Sequence, residues 1–211
     1  MRHNIDNANL HFKQHRYQEA IDTCKEILAT DNNSIEALKL IAQSLLAIRK
    51  PEDARLYLNQ ALLIQPDDYE SIKNLGNTFQ AVGDMKTAKD YYRNALQINN
   101  SYAPALTNLG SLELKTGHEQ DALSLLIKAT VSDPHLAAAW INLTNGYIQL
   151  KKVEEAEISI RKAIELNPNL SNFHFLLSSI LISQNKLQEA EEPLRKSIEL
   201  KPDFALAYNN L

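Results

Sequence analysis

Asn74, Asn108 and Asn142 recur at one fixed interval, in Asn74-Leu75-Gly76, Asn108-Leu109-Gly110 and Asn142-Leu143-Thr144. A carboxamide carries donors and an acceptor together, so such a row can pair with the N–H and C=O of another backbone while tolerating its side-chain sequence. That is recognition chemistry. Bond-making chemistry has no comparable signature: the sequence has no Gly-rich phosphate loop, no nucleophile elbow and no associated His, Asp and Ser set. His11 and His15 have the i, i+4 spacing of helical metal ligands, but the Glu of a zinc-protease helix and a third ligand are missing, so no metal and no cofactor are expected. Cys24 occupies an offset filled elsewhere by Leu, Ile or Tyr and reads as packing. Glu113 stands where neighbouring units carry Phe79 and Tyr147, and is expected to reach outward to solvent. Glu154, Glu155, Glu157, Glu191 and Glu192 read as a solvated face.

The elements that position these residues repeat with the same beat. Ala20, Ala54, Ala88, Ala122, Ala156 and Ala190 lie on one 34-residue grid without an insertion. Pro66, Pro134, Pro168 and Pro202 lie on another, with Asn32 and Asn100 in its remaining places. A fixed period of this kind specifies a solenoid. Within a unit two apolar stripes run at helical spacing: Ile72, Leu75, Gly76 and Phe79, then Ala88, Tyr92, Ala95 and Leu96, with Gly83-Asp84 between them. No segment alternates with period two, so the fold class is all-α, built from antiparallel helix pairs. Ala42, Gly76 and Gly110 oppose the Ala grid, which brings paired helices to the lower end of the usual ~8–10 Å separation. The grid prolines fall between units; Pro51 and Pro104 suit a first helical turn, and Pro193 is expected to remove one bond inside the last second helix.

Bulk properties exclude several classes. A net charge of -4 and a pI near 5.9 lack the basic footprint of a nucleic-acid binder. No apolar run reaches the ~18 residues of a membrane span, and the N-terminus has no apolar signal region. One cysteine permits no internal disulfide. A soluble, cytoplasmic protein is expected. The single array 1–211 divides into units 1–34, 35–68, 69–102, 103–136, 137–170 and 171–204, with 205–211 opening a seventh. Asn4 and Asn7 weaken the first unit's apolar stripe, as in a capping repeat, and the C-terminal end reads as uncapped.

The period, with a large residue, Leu, Gly, Tyr, Ala, Ala and Pro at set offsets, resembles the tetratricopeptide repeat (TPR) family over essentially the whole chain. Thr144 and Ser178 in the small-residue place, and Glu113, depart from its pattern. The resemblance implies a right-handed superhelical α-solenoid whose first helices line a concave groove for a peptide or helix of a partner protein. Carried over by position, Lys39, Gln43, Lys73, Asn74, Asn77, Thr107, Asn108, Ser111, Asn142 and Asn145 face that groove. Asn74, Asn108 and Asn142 are similar to the asparagine ladder in the TPR superhelix of O-linked N-acetylglucosamine transferase. Further on the groove turns apolar through Ile141, Ile148, Phe175 and Leu176, which suits a ligand with a polar stretch followed by an apolar anchor. Lys73, Asn77 and Asn108 also match three places of the carboxylate clamp of chaperone-binding TPR domains. Ala138 and Asn142 stand at its two basic places, so that clamp lacks its cationic half.

The function expected from these residues is a non-enzymatic protein–protein interaction scaffold that holds a peptide segment, without nucleic acid or membrane. Two other readings stand beside it. One is the substrate-recognition arm of a larger enzyme, such as a glycosyltransferase, continuing past Leu211. The other is a self-assembly element forming a homo-oligomer through the uncapped C-terminal face.

Overall fold

The computed structural model describes residues 2–209. Met1 lies outside the described residues, as do Asn210 and Leu211 of the expected seventh unit. The described residues form thirteen α-helices in two compact units divided between Asn100 and Ser101. Unit 1 holds α1 (Arg2–Lys13), α2 (Tyr17–Thr30), α3 (Ile35–Ala47), α4 (Pro51–Ile64), α5 (Tyr69–Ala81) and α6 (Met85–Ile98). Unit 2 holds α7 (Ala103–Lys115), α8 (Glu119–Ser132), α9 (Ala137–Gln149), α10 (Val153–Leu166), α11 (Ser171–Ser183), α12 (Leu187–Leu200) and the short α13 (Ala205–Asn209). Each odd-numbered first helix from α1 to α11 packs against the even-numbered second helix that follows it, and within a unit each pair packs on the next. This is the helix-pair solenoid that the 34-residue beat announces, with no strand among the described residues.

The grid alanines make the pairing close. Ala20, Ala54, Ala88, Ala122, Ala156 and Ala190 are all buried. A Cβ added to Gly76 would lie 2.6 Å from Tyr92 Cε1 and 3.2 Å from the Ala88 carbonyl oxygen. One added to Gly110 would lie 2.7 Å from Leu126 Cγ and 3.3 Å from the Ala122 carbonyl oxygen. In the same place of later pairs stand Thr144 and Ser178, both fully buried, and each turns its hydroxyl back to its own helix, donating to Trp140 O at 2.9 Å and Phe175 O at 2.8 Å. The departure from glycine is thus absorbed without an orphaned polar group.

The first helices α1, α3, α5, α7, α9 and α11 each end in a turn whose second residue is left-handed. His15, Arg49, Gly83, Gly117, Lys151 and Asn185 have φ of 60, 61, 85, 76, 57 and 61°, on one 34-residue grid. Gly83 and Gly117 take this conformation freely as glycines; the other four share their geometry because the repeat demands it. Ser34 and Asp68 cap first helices, accepting from the backbone N–H groups of Ala37 and Ser71 at 3.5 and 3.1 Å. Asp84 caps a second helix from the Thr87 N–H at 3.1 Å, and these bonds to Thr87 hold its carboxyl below the usual carboxylate range. The grid prolines lie between helices, Pro51 and Pro104 open theirs, and α12 runs continuously through buried Pro193.

Two expectations need correction. Glu113 does not reach solvent: it is 6 % exposed, with its Oε2 3.2 Å from His118 Nδ1 and 3.4 Å from Thr116 Oγ1. His118 occupies the N-cap position of α8, where the helix dipole favours a carboxylate, so the buried acid is met by exposed residues of the turn between α7 and α8. His11 and His15 do not share one helix face, because α1 ends at Lys13 and His15 sits in the left-handed turn with Nδ1 2.7 Å from the Tyr17 hydroxyl. Cys24 is fully buried as expected, and desolvation pushes its thiol up to about 11.

Candidate functional site

The residues expected to meet a ligand lie on first helices, and the structure brings three of them together on α5. Lys73, Asn74 and Asn77 fall within one helical turn, at i, i+1 and i+4, so their side chains rise on neighbouring lines of the helix. Lys73 Nζ donates to Asn74 Oδ1 at 2.7 Å, and Asn77 Nδ2 donates to the same oxygen at 3.4 Å. Asn77 Oδ1 in turn lies 2.8 Å from the Tyr92 hydroxyl, which is also 2.7 Å from Gln80 Oε1. Asn74 is 2 % exposed, and its Nδ2 has no hydrogen-bond partner. The row is therefore anchored to the core at one end and carries an unmet donor in its middle.

A second polar group flanks it. On α3, Lys39 Nζ lies 2.6 Å from Glu70 Oε2 and 3.5 Å from Asp68 Oδ1. Burial lowers the Lys39 pKa, but the Glu70 hydrogen bond and the charges of Asp68 and Glu70 outweigh it and leave the ammonium raised above its ordinary value. Lys73 shifts the other way. Desolvation dominates and pushes it down, the Glu70 charge only partly opposes that, and the smaller effects of Lys39 and Asp68 act in opposite directions. Of the two lysines, one is neutralised by carboxylates and the other is held only by an amide oxygen. Asp68 and Glu70 were not singled out by sequence reasoning; the signal was the fixed step from a first-helix position to the cap of the next first helix.

Unit 2 presents the corresponding positions with different chemistry. Asn142 is half-buried on α9 and donates its Nδ2 to the Ala138 carbonyl of its own helix at 2.8 Å. Asn145 is exposed, Ser111 half-buried, and Thr107 buried with its hydroxyl donating to Ala103 O at 2.8 Å. Asn108 is half-buried and not without a partner. Phe175, on α11, packs against Phe204 with ring centroids 4.9 Å apart, and Lys201 Nζ lies 5.5 Å from the Phe204 centroid. Phe175 and Phe204 are separated by the same step along the chain as Lys39 and Asp68. Leu176, next to Phe175 in sequence, and Ile141, one repeat earlier, are half-buried, and Ile148 is exposed. Trp140 donates Nε1–H to the Pro134 carbonyl at 2.9 Å, and His174 Nε2 lies 2.7 Å from the Pro168 carbonyl, so a ring in the same place of two consecutive first helices ties down the preceding loop.

No set of these side chains assembles bond-making chemistry. Among the described residues no group of three or more His, Cys, Asp or Glu side chains could hold a metal ion, and no helix is long and apolar enough to cross a membrane. The arrangement supplies donors, acceptors and apolar rings along first-helix faces.

Comparison with known proteins agrees with this architecture. Two models of the tetratricopeptide repeat match the chain, one over residues 11–76 and one over residues 70–102, 137–170 and 171–204. No curated protein matches it by sequence. Among solved structures it is similar to a chain of the APC/C hetero-tetramer Cut9–Hcn1, with 18% identity and a TM-score of 0.88 over 99% of this chain. The chain spans only 41% of that protein's length. It is also similar to YrrB, a TPR protein with an unusual peptide-binding site, at 19% identity and a TM-score of 0.64, covering 88% of this chain and 96% of YrrB. A thermophilic TPR protein from Thermus thermophilus gives 18% identity and a TM-score of 0.75, covering 86% of this chain and 98% of its own.

Proposed function

The chain belongs to the tetratricopeptide repeat family, and from that premise we propose that it is a protein–protein interaction scaffold taking a peptide segment of a partner along its first helices. The family is generally a non-catalytic scaffold for protein partners. The observation that carries the peptide reading is the hydrogen-bonded row Lys73–Asn74–Asn77 on α5, in which the buried Asn74 Nδ2 has no partner. Buried polar groups without partners cost stability, so a folded chain that holds one is best completed by something that binds it. YrrB, similar in fold, is itself a peptide binder, which supports the same use of this scaffold. In this reading Lys73, Asn74, Asn77, Asn108, Ser111, Asn142 and Asn145 meet the ligand's polar stretch, and Phe175 its apolar anchor.

A display selection of random peptides against the whole chain tests this. Alanine at Asn74, Asn108 and Asn142 together is expected to weaken the selected peptides at least about tenfold, as loss of several hydrogen bonds should. Unchanged affinity in the triple variant would overturn the asparagine row as the binding element.

A further inference from the structure

Within each unit, the places between consecutive second helices, at the end of the first helix that separates them, are filled in different ways. Between α4 and α6 the Arg55 guanidinium lies 4.3 Å from the Phe79 centroid, and Phe79 stacks on Tyr91 with centroids 5.3 Å apart. Between α8 and α10, Leu123 belongs to an apolar cluster against which Tyr147 and Leu150 pack. Between α10 and α12, Glu157 is held by two cations: Arg161 Nε donates to its Oε1 at 2.9 Å and Lys186 Nζ to its Oε2 at 2.7 Å. Four repeats earlier, between α2 and α4, Lys25 and Lys50 hold the places of Arg161 and Lys186. Ile21 holds the place of Glu157, so the two cations recur there without the carboxylate.

We propose that the groove between α2 and α4 is a docking site for a partner protein that presents a glutamate to Lys25 and Lys50 with an apolar residue beside it. The site lies on second helices and is independent of the first-helix row. Three observations carry it. The groove is open as a cavity of about 340 Å³, with Ile21, Leu45, Ile48 and Tyr57 among its walls and both lysines lining it. Among the described residues neither lysine ammonium has an ion-pair or hydrogen-bond partner, and Asp53, the one acid on the cavity wall, pairs with neither. The chain itself shows what cations at these two places close on, since Arg161 and Lys186 grip one carboxylate. The apolar walls suit the methylene stem of a glutamate, whose carboxylate gains charge-assisted bonds at the lysines. Leu56, 68 % exposed on the same cavity, offers its side chain to the apolar neighbour.

The test titrates the whole chain, its methyl groups labelled with ¹³C, with N-acetyl-glutamyl-leucine methylamide and with the glutamine counterpart. The expected result is a saturable shift of the Ile21, Ile48 and Leu56 methyl signals, the glutamate compound binding about fivefold tighter or more. Added salt should shrink that preference, because both lysines are exposed. Lys25→Met together with Lys50→Met should abolish it, and arginine at both positions should retain it. Both changes lie on the surface and leave the core intact. Equal affinity for the two compounds, or a preference that survives the double methionine variant, would overturn the proposal. Shifts confined to first-helix methyls would do the same by placing the probe elsewhere. Propionate binding as tightly as the glutamyl-leucine compound would make the occupant a free carboxylic acid. Self-association of the chain that the double methionine variant loses would make it a second copy, and either result sinks the separate protein partner.

Discussion

Two pairs of positions with identical spacing, each joining a first helix to the start of the next, carry unlike chemistry in the two units. In unit 1 the pair is Lys39 with Asp68, an ammonium 3.5 Å from a carboxylate that also caps α5. In unit 2 it is Phe175 with Phe204, two rings 4.9 Å apart. The repeat prescribes where side chains meet and leaves open what they are. Backbone geometry is shared by all the units, while the exposed chemistry of each first helix varies with its own residues. A solenoid thereby keeps one architecture while its first helices range from charged and carboxamide-rich to aromatic.

The largest test of shared geometry against local filling is the small-residue place. Gly76→Thr should cost about 3 kcal/mol, because the new Cβ meets the Tyr92 ring, which is fully buried and anchored through Asn77 and Gln80. The same threonine is native at position 144, where the hydroxyl is satisfied by Trp140 O. The urea midpoint of the variant measures the cost, and a neutral outcome would mean that the two places are interchangeable after all.

Next come the two equally spaced pairs. Asp68→Ala removes a cap as well as a charge partner and should lose about 2 kcal/mol; Phe204→Ala, a half-buried ring in an aromatic pair, should lose about 1 kcal/mol. The pairs also differ in pH response. Lys39 is raised in the fold, so its contribution is complete below the ordinary lysine value of 10.5 and is lost as pH climbs through the folded value. The stability gap between the wild type and Asp68→Ala should narrow in strong alkali, while the Phe204→Ala gap should stay the same. Urea unfolding at two pH values reads both.

The smallest effect sharpens what the units have in common. Arg49 in unit 1 and Lys151 in unit 2 take the left-handed turn that Gly83 and Gly117 take without strain. Arg49→Gly and Lys151→Gly should each stabilise the chain by about 0.5–1 kcal/mol, and by similar amounts. A gain at one and a loss at the other would show that the turns are not equivalent.

The fold was legible because its signals are redundant: six buried alanines, four prolines between helices and a constant period all say the same thing. The left-handed grid was readable at Gly83, yet hidden at Arg49 and Lys151, since neither residue type advertises a positive φ. The site was legible as a set of positions and not as a set of interactions. Sequence placed Lys73 and Asn74 on one face, but the direction of the amide depends on where the lysine tip goes, and that is settled by side-chain geometry. Glu113 failed for a related reason: its partner His118 lies beyond the turn, so a lone acid on an apolar stripe gave no hint of being buried and met from the turn.

Hydrogen–deuterium exchange of the whole chain with and without a selected peptide tests the central claim most directly. The account predicts slower exchange on first helices, above all in α5, α9 and α11, with α4, α6, α8 and α10 unchanged. Protection confined to those second helices would contradict it and place the ligand on the opposite face.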